Sequence, residues 1–371
     1  MEKGRSQVES MEIKSLFKEL YKNKKVLITG HTGFKGSWLS LWLQELGADV
    51  CGYSLSIPTN PSHFKLLDLD IKTVLGDIRD AEKLKQTFQE FQPEIVFHLA
   101  AQPFVRTSYK EPRYTYETNV MGTVNLFEAV RQTPSVKVVV NITTDKCYEN
   151  REWVYGYREN DPMGGYDPYS NSKGCSELIT ASYRNSFFNP KNLGRTHNVS
   201  LASVRAGNVI GGGDWGEDRL IPDFVRALSQ KETLILRNPE ATRPWQHVLE
   251  PLSGYLKLGA LMYQDGLKYS SAWNFGPKDS ASLNVEEVVK QSIKIWGSGN
   301  YQVKPEKKMH EAMLLKLDIS KVAHYLNWQP VYDSKTTIKE TIEWYKEYYS
   351  GNKNMKEYSI QQIKKYLQNL C

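Results

Sequence analysis

Tyr169 and Lys173 stand four residues apart in DPYSNSKGCSELI, a spacing that puts both side chains on one face of a helix. An ammonium beside a phenol lowers the phenol's pKa from about 10 and yields a base able to take a proton from a hydroxyl as a hydride leaves. A surface tyrosine beside a surface lysine gives the same spacing, so the motif takes its meaning from its company. Upstream, NITTDKCY sets Thr143, Thr144, Asp145 and Lys146 directly after the apolar run 138–140. An acid next to a base at a strand end is either solvated punctuation or a pair of proton carriers at the rim of a sheet.

Such a pair needs a scaffold, and the alternation of elements supplies one. The apolar runs at 25–29, 49–53, 71–75, 93–99 and 137–142 read as strands, and a sixth follows at 199–204. Stretches of helical composition lie between them, notably 80–91 and 113–132. Continuous apolar strands separated by helices predict an α/β fold, a doubly wound parallel sheet covered on both faces. After about residue 210 the alternation fades into a smaller, mixed α/β region, with 272–276 returning to the sheet as one more strand and 334–371 reading as helix. The expected organisation is an N-terminal extension at 1–20, a dinucleotide-binding domain at 21–210 and a mainly substrate-binding region at 211–371.

Between the first strand and the first helix, TGHTGFKG spaces Gly30, Gly33 and Gly36 as GxxGxxG around His31, Phe34 and Lys35. Glycines there permit the tight turn, the approach of a pyrophosphate and close helix packing, while the helix N-terminus offers unpaired N–H groups to the anion. Asp77 and Ile78 follow the third strand, where an adenine ring would lie, and Leu99, Ala100 and Ala101 leave room at the end of the fourth. His31 and Lys35 are candidates to touch phosphate or ribose. The second strand ends Gly52-Tyr53-Ser54-Leu55, without the acid that usually holds the ribose, so this position does not choose between NAD and NADP.

The bulk numbers exclude other classes. The 371 residues are 40% hydrophobic with a mean hydropathy of -0.54, no apolar run is long enough to span a membrane, and the N-terminus lacks a signal-peptide block, which predicts a cytoplasmic protein. Four scattered cysteines and seven scattered histidines suggest neither a disulfide framework nor a metal site. The net charge of +6 is concentrated near 22–25 and 346–365, where it reads as solvated helix faces instead of a nucleic-acid surface.

With the glycine loop, the alanines after the fourth strand, Thr143-Thr144-Asp145 and the Tyr/Lys pair in order, the chain resembles the extended short-chain dehydrogenase/reductase superfamily over about 24–344. The adjacent Asp145-Lys146, together with VFHLAAQPFVRTSY, TNVMGTVNLFEA, RAGNVIGGGDW and RPWQHVLEPLSGYL, is most similar to its nucleotide-sugar 4,6-dehydratase branch. That resemblance implies NAD as cofactor, CDP-glucose as substrate, and a lyase reaction by C4 oxidation, C5/C6 elimination and hydride return to C6. It assigns Thr144 to the substrate hydroxyl, Tyr169 and Lys173 to the redox step, Asp145 as general acid, and Lys146 as the C5 base or its electrostatic helper. It also implies a homodimer or homotetramer built on helices at 113–132 and 169–188.

For the substrate wall, Asn208 and Arg243 match superfamily positions that meet the diphosphate, and Arg219 in EDRLIP is a further candidate. Gln102, Arg106, Ser108 and Tyr109 follow the fourth strand and are placed to frame the sugar. For Asn208, Arg219 and Arg243 a structural ion pair or loop hydrogen bond is the alternative. Asn119 reads as an architectural hydrogen-bonder. Rival readings are a 4-epimerase or 4-reductase on a nucleotide sugar, and a dinucleotide-sensing binding protein, against which the retained Tyr/Lys pair counts.

Overall fold

The computed structural model describes residues 17, 19–278, 282–304 and 314–370, so most of the expected N-terminal extension lies outside the described residues. The apolar runs form β1 (Lys25–Thr29), β2 (Asp49–Ser54), β3 (Lys72–Leu75), β4 (Ile95–His98), β5 (Val138–Ile142) and β6 (Ser200–Ala206). The returning strand is Ala272–Phe275, and it pairs with β6. Across the sheet the order is Ala272–Phe275, β6, β5, β4, β1, β2, β3, with all neighbours parallel. β6 runs two residues beyond its expected end because Arg205 and Ala206 pair with Asn274 and Phe275. β1 and β4 are neighbours at the middle of the sheet, and the chain leaves β1 toward β2 on one side and β4 toward β5 on the other, a switch point that opens a crevice beyond their C-terminal ends.

Burial follows from the composition of the strands. Every residue of β5 and β6 is buried, as continuous apolar runs covered on both faces should be. The helix after the glycine loop, Phe34–Glu45, buries Trp38, Leu39, Leu41, Trp42 and Leu43 and is therefore apolar all round. One side lies on the sheet. Another receives the last helix, Met355–Asn369, whose Tyr366 meets Trp42 edge-on at 6.0 Å between ring centroids.

Two expected elements differ in detail. The stretch 113–132 is not one α-helix but Pro112–Tyr116, a π-helical turn Glu117–Met121, and Gly122–Arg131. The wider turn carries Asn119, whose amide bonds the Gln102 backbone in both directions and donates to Ser172 Oγ at 2.9 Å. The tail forms two helices, Ser334–Ser350 and Met355–Asn369, separated where Gly351 takes φ +67°.

Chain order and packing diverge after residue 210. Thr242–Pro244 pairs antiparallel with Ser282–Asn284, and Leu234–Leu236 pairs with Tyr301–Val303, forming small ladders beside the crevice. The helix Leu249–Gln264 and the last helix instead pack against the main sheet and its first helix. Among the described residues no helix is long and apolar enough to cross a membrane.

Candidate active site

A cavity of about 730 Å³ lies over the C-terminal ends of β1, β2, β4, β5 and β6, closed on the far side by 207–222 and by Arg243 and Trp245. Its near half is the glycine loop. Gly30 has φ +77°, and a Cβ there would sit 2.7 Å from Ala100 N; one at Gly36 would sit 2.1 Å from Gly30 O. The turn therefore admits no side chain at either place. Gly33 caps the following helix without any side-chain hydrogen bond, so its first N–H groups face the cavity. These features fit a dinucleotide's pyrophosphate. Gly30, Gly33, Phe34, Lys35, Gly36, Asp77, Ile78, Leu99, Ala100 and Ala101 all line the same space.

His31 does not line the cavity. Its ring is buried beneath the loop, with Nδ1 2.9 Å from Ser54 Oγ and Nε2 3.3 Å from Thr73 Oγ1. Gly52 leaves the room for it, since a Cβ there would overlap the ring. Burial lowers its pKa to about 4, so His31 is a neutral packing residue here and not a phosphate ligand. Asp77 faces the cavity, but its carboxylate is forked by Arg79, with Nη2 at 2.7 Å. The polar wall that sequence reasoning missed is Thr32, Ser54, Ser56 and Thr59; Thr32 Oγ1 donates to Ser56 O at 2.6 Å. Isolated serines and threonines leave no pattern in a sequence.

At the centre, Thr144, Lys146, Tyr169 and Lys173 share one cavity surface. Tyr169 and Lys173 come from the helix Pro168–Ser186, whose N-cap Asp167 accepts from Ser170 N. Asp145 and Lys146 come from the 3-10 turn Asp145–Cys147 that ends β5. Asp145 is only 3% exposed and sits just behind the surface, accepting from Thr144 Oγ1 at 2.9 Å. Burial raises its pKa, while Lys146, the Thr144 hydrogen bond, Lys35 and Arg243 oppose the rise. Asp145 is buried, and Lys146, half-buried, lines the cavity.

The expected depression of the Tyr169 pKa is absent. Burial raises it to about 12, against the Thr144 hydrogen bond and the charge of Arg219. Lys173 directs its ammonium to Ile142 O at 3.4 Å, and its own pKa falls to about 8 because it is buried. Desolvation of the phenol thus outweighs the Thr144 hydrogen bond and the Arg219 charge.

The substrate candidates separate. Asn208, Arg219 and Arg243 line the far half of the cavity. Arg219 bonds Asp214 Oδ2 at 2.8 Å and lies over the Phe104 ring. Arg219 and Arg243 with Lys35, Lys146 and Lys173 outnumber the lining carboxylates Asp77, Asp214 and Asp218, a balance suited to a diphosphate. Gln102 lines the cavity, yet its amide is already used by Phe104 N, Phe104 O and Thr115 Oγ1. Ser108 is fully buried and donates to Val105 O at 2.7 Å, away from the cavity. Arg106 lies outside it too, paired with Asp218 at 3.4 Å, and Tyr109 is exposed. Both residues sit on the short helix Val105–Lys110, whose rotation the sequence does not reveal.

Comparison with known proteins agrees with this geometry. The chain is 55% identical to the CDP-glucose 4,6-dehydratase of Salmonella typhimurium over 337 residues, 90% of this chain and 94% of that one. It is 26% identical to the dTDP-D-glucose 4,6-dehydratase of Homo sapiens, over 90% of this chain and 93% of the relative. Among solved structures, the dTDP-glucose 4,6-dehydratase DesIV of Streptomyces venezuelae, with NAD bound, has the same fold at TM-score 0.76 and 24% identity, covering 89% of this chain and 99% of that one. The family described as GDP-mannose 4,6 dehydratase matches residues 27–341, nearly the whole span of the sheet and the cleft, and the chain belongs to that family.

Proposed function

We propose that the protein converts CDP-glucose to CDP-4-keto-6-deoxyglucose and water, using NAD. The observation that carries this reading is the placement of Thr144, Lys146, Tyr169 and Lys173 on one cavity wall with Asp145 buried directly behind it. The glycine loop and the walls named above would hold the cofactor, which would supply reversible hydride acceptance. Tyr169 takes the proton of the C4 hydroxyl, positioned by Thr144, and Lys173 supplies positive charge beside the phenolate. Oxidation at C4 acidifies the C5 proton. Lys146 removes that proton or stabilises its removal, and Asp145, whose pKa burial raises, donates to the departing C6 hydroxyl.

Arg219, Arg243 and Asn208 hold the diphosphate. The cytidine assignment is supported by the 55% identity to a CDP-glucose enzyme across nine tenths of the chain. We also place the protein in the cytoplasm as a homo-oligomer. Leu178 and Met121, 59% and 51% exposed on helices of the outer face, supply apolar surface for such an assembly.

The test is incubation of purified protein with CDP-, dTDP-, UDP- and GDP-hexoses plus NAD, followed by product identification by mass. Loss of one water from the CDP sugar alone is expected. An unchanged mass with inversion at C4 would replace this reading by epimerisation.

A further inference from the structure

The helix that carries Tyr169 and Lys173 places a third ionisable group one turn further on. Glu177 is buried and receives three hydrogen bonds: from Thr143 Oγ1 at 2.5 Å, Ser203 Oγ at 2.6 Å and Arg205 Nη2 at 2.8 Å. Arg205, equally buried, continues to Tyr148 OH at 2.5 Å and to Glu159 O at 3.0 Å. Tyr148 OH then donates to Asn274 Oδ1 at 2.8 Å on the returning strand. Thr143 and Tyr148 flank the segment that bears Thr144, Asp145 and Lys146. One ion pair therefore fastens both ends of that segment to the Tyr169–Lys173 helix and to β6.

A buried ion pair is a poor source of stability, since well-packed apolar residues commonly serve as well. Its placement asks for another account. The titratable groups whose charge acts on the Lys173 ammonium or responds to it are Glu177 on its own helix, Cys147 from the 3-10 turn, His98 from β4 and Lys35 from the glycine-loop helix. Cys147 and His98 are held neutral by burial, and Lys35 is a cation. Of these groups Glu177 is the one that carries negative charge near neutral pH. Burial alone would raise its pKa, but the Arg205 charge and its three hydrogen bonds keep it ionised.

We infer that Glu177 is a positioning residue for the reaction: its carboxylate holds the proton on Lys173 and, through Arg205, sets the 143–148 segment against Tyr169. This rests on the proposed roles of Tyr169 and Lys173. The charge and the fastening have separable signatures. Glu177→Gln keeps the shape and removes the charge, so Lys173 loses its proton at lower pH and the alkaline limb of kcat moves down by about one pH unit. Glu177→Asp keeps the charge and leaves the limb in place. Thr143→Val and Tyr148→Phe loosen the segment without touching the charge; they lower kcat by up to about 100-fold with the limb unmoved.

Because Glu177→Gln leaves Arg205 buried and unpaired, Glu177→Gln/Arg205→Met is made beside it, and NAD binding and circular dichroism verify each fold. Where Glu177→Gln folds, a displaced limb supports the inference and a limb that stays at its wild-type pH overturns it. Where only the double variant folds, its limb is read in the same way. Tyr169→Phe is run in parallel: if that variant turns over normally, the failure lies in the reading of the site and not in Glu177.

Discussion

Thr144 donates its hydroxyl proton to Asp145 Oδ1 at 2.9 Å, and the same threonine shares the cavity wall with Tyr169. The residue expected to hold the sugar's C4 hydroxyl is thus already coupled to the group expected to protonate the C6 hydroxyl. Both ends of the proposed chemistry meet at one side chain before any substrate enters.

Asp145→Asn should let C4 oxidation proceed while slowing water loss by about 10²- to 10⁴-fold, the usual worth of a positioned general acid. Rapid-quench mass analysis of a single turnover would show a 4-keto sugar that retains its C6 oxygen. The pH dependence has a definite sign. Burial raises the carboxyl's pKa, so elimination falls as pH rises through that raised pKa, and the Asp145→Asn variant is flat there. Water loss at the wild-type rate would remove Asp145 from the role of acid.

Lys146→Met should abolish formation of the 4-keto-6-deoxy product, a loss of at least about 100-fold, with NAD affinity unchanged. The side chain lines the cavity beside Thr144 and Tyr169 and takes no part in the glycine loop. Fluorescence titration with NAD and product assay on the same preparation separate the two effects. Near-normal turnover would leave Lys146 as a cation paired to its neighbour and nothing more.

How far the sequence foretold this site depends on whether each feature is local. The glycine loop was legible because strand, turn and helix follow one another within a dozen residues, and Tyr169–Lys173 was legible because four residues are one helical turn. Ser108 and Arg106 were misread because position after a strand does not say which way the next helix is turned. His31 was misread for a tertiary reason: the space its ring fills exists because Gly52, on the neighbouring strand, has no side chain. Glu177 stood in plain view as the third member of the series 169, 173, 177, but its partners Thr143, Ser203 and Arg205 come from two other elements. The Tyr169 pKa went the opposite way because pairing is visible in a sequence and desolvation is not.

Glu250 gives a stability prediction away from the site. It is buried at the start of the helix Leu249–Gln264 and accepts from Val331 N, Tyr332 N and Tyr366 OH, and burial lifts its pKa to about 7. A carboxyl whose folded pKa lies above its unfolded value binds its proton more tightly when folded. Its contribution is therefore present at low pH and fades as pH rises from about 4.5 to 7, on the order of 3 kcal/mol in total. Denaturant unfolding at pH 5 and pH 8 should show this decline in the wild type, and Glu250→Gln should remove it. Equal pH dependence in both proteins would contradict the assignment.

Four histidines impose the opposite slope at acid pH. His31 is lowered to about 4, and His63, His98 and His247 to about 3, by burial in each case. A base whose folded pKa is depressed binds fewer protons folded than unfolded, so stability is lost as pH falls from about 6.5 toward those values. At pH 4 each histidine accounts for a loss on the order of 3 kcal/mol, and a domain has only about 5–15 kcal/mol in all. The protein should therefore unfold cooperatively between about pH 6 and pH 4, before most carboxylates are protonated. The positions of the rings say where: His63 ties Ser37 at the glycine-loop helix to Ser359 on the last helix, at 2.8 Å and 3.2 Å, and His98 bonds Thr29 at 2.7 Å under the cofactor crevice. Far-ultraviolet circular dichroism against pH, with NAD binding followed on the same samples, should show the helix signal and the cofactor site lost together; a cofactor site that survives to pH 4 would show that these rings accept protons without breaking the fold.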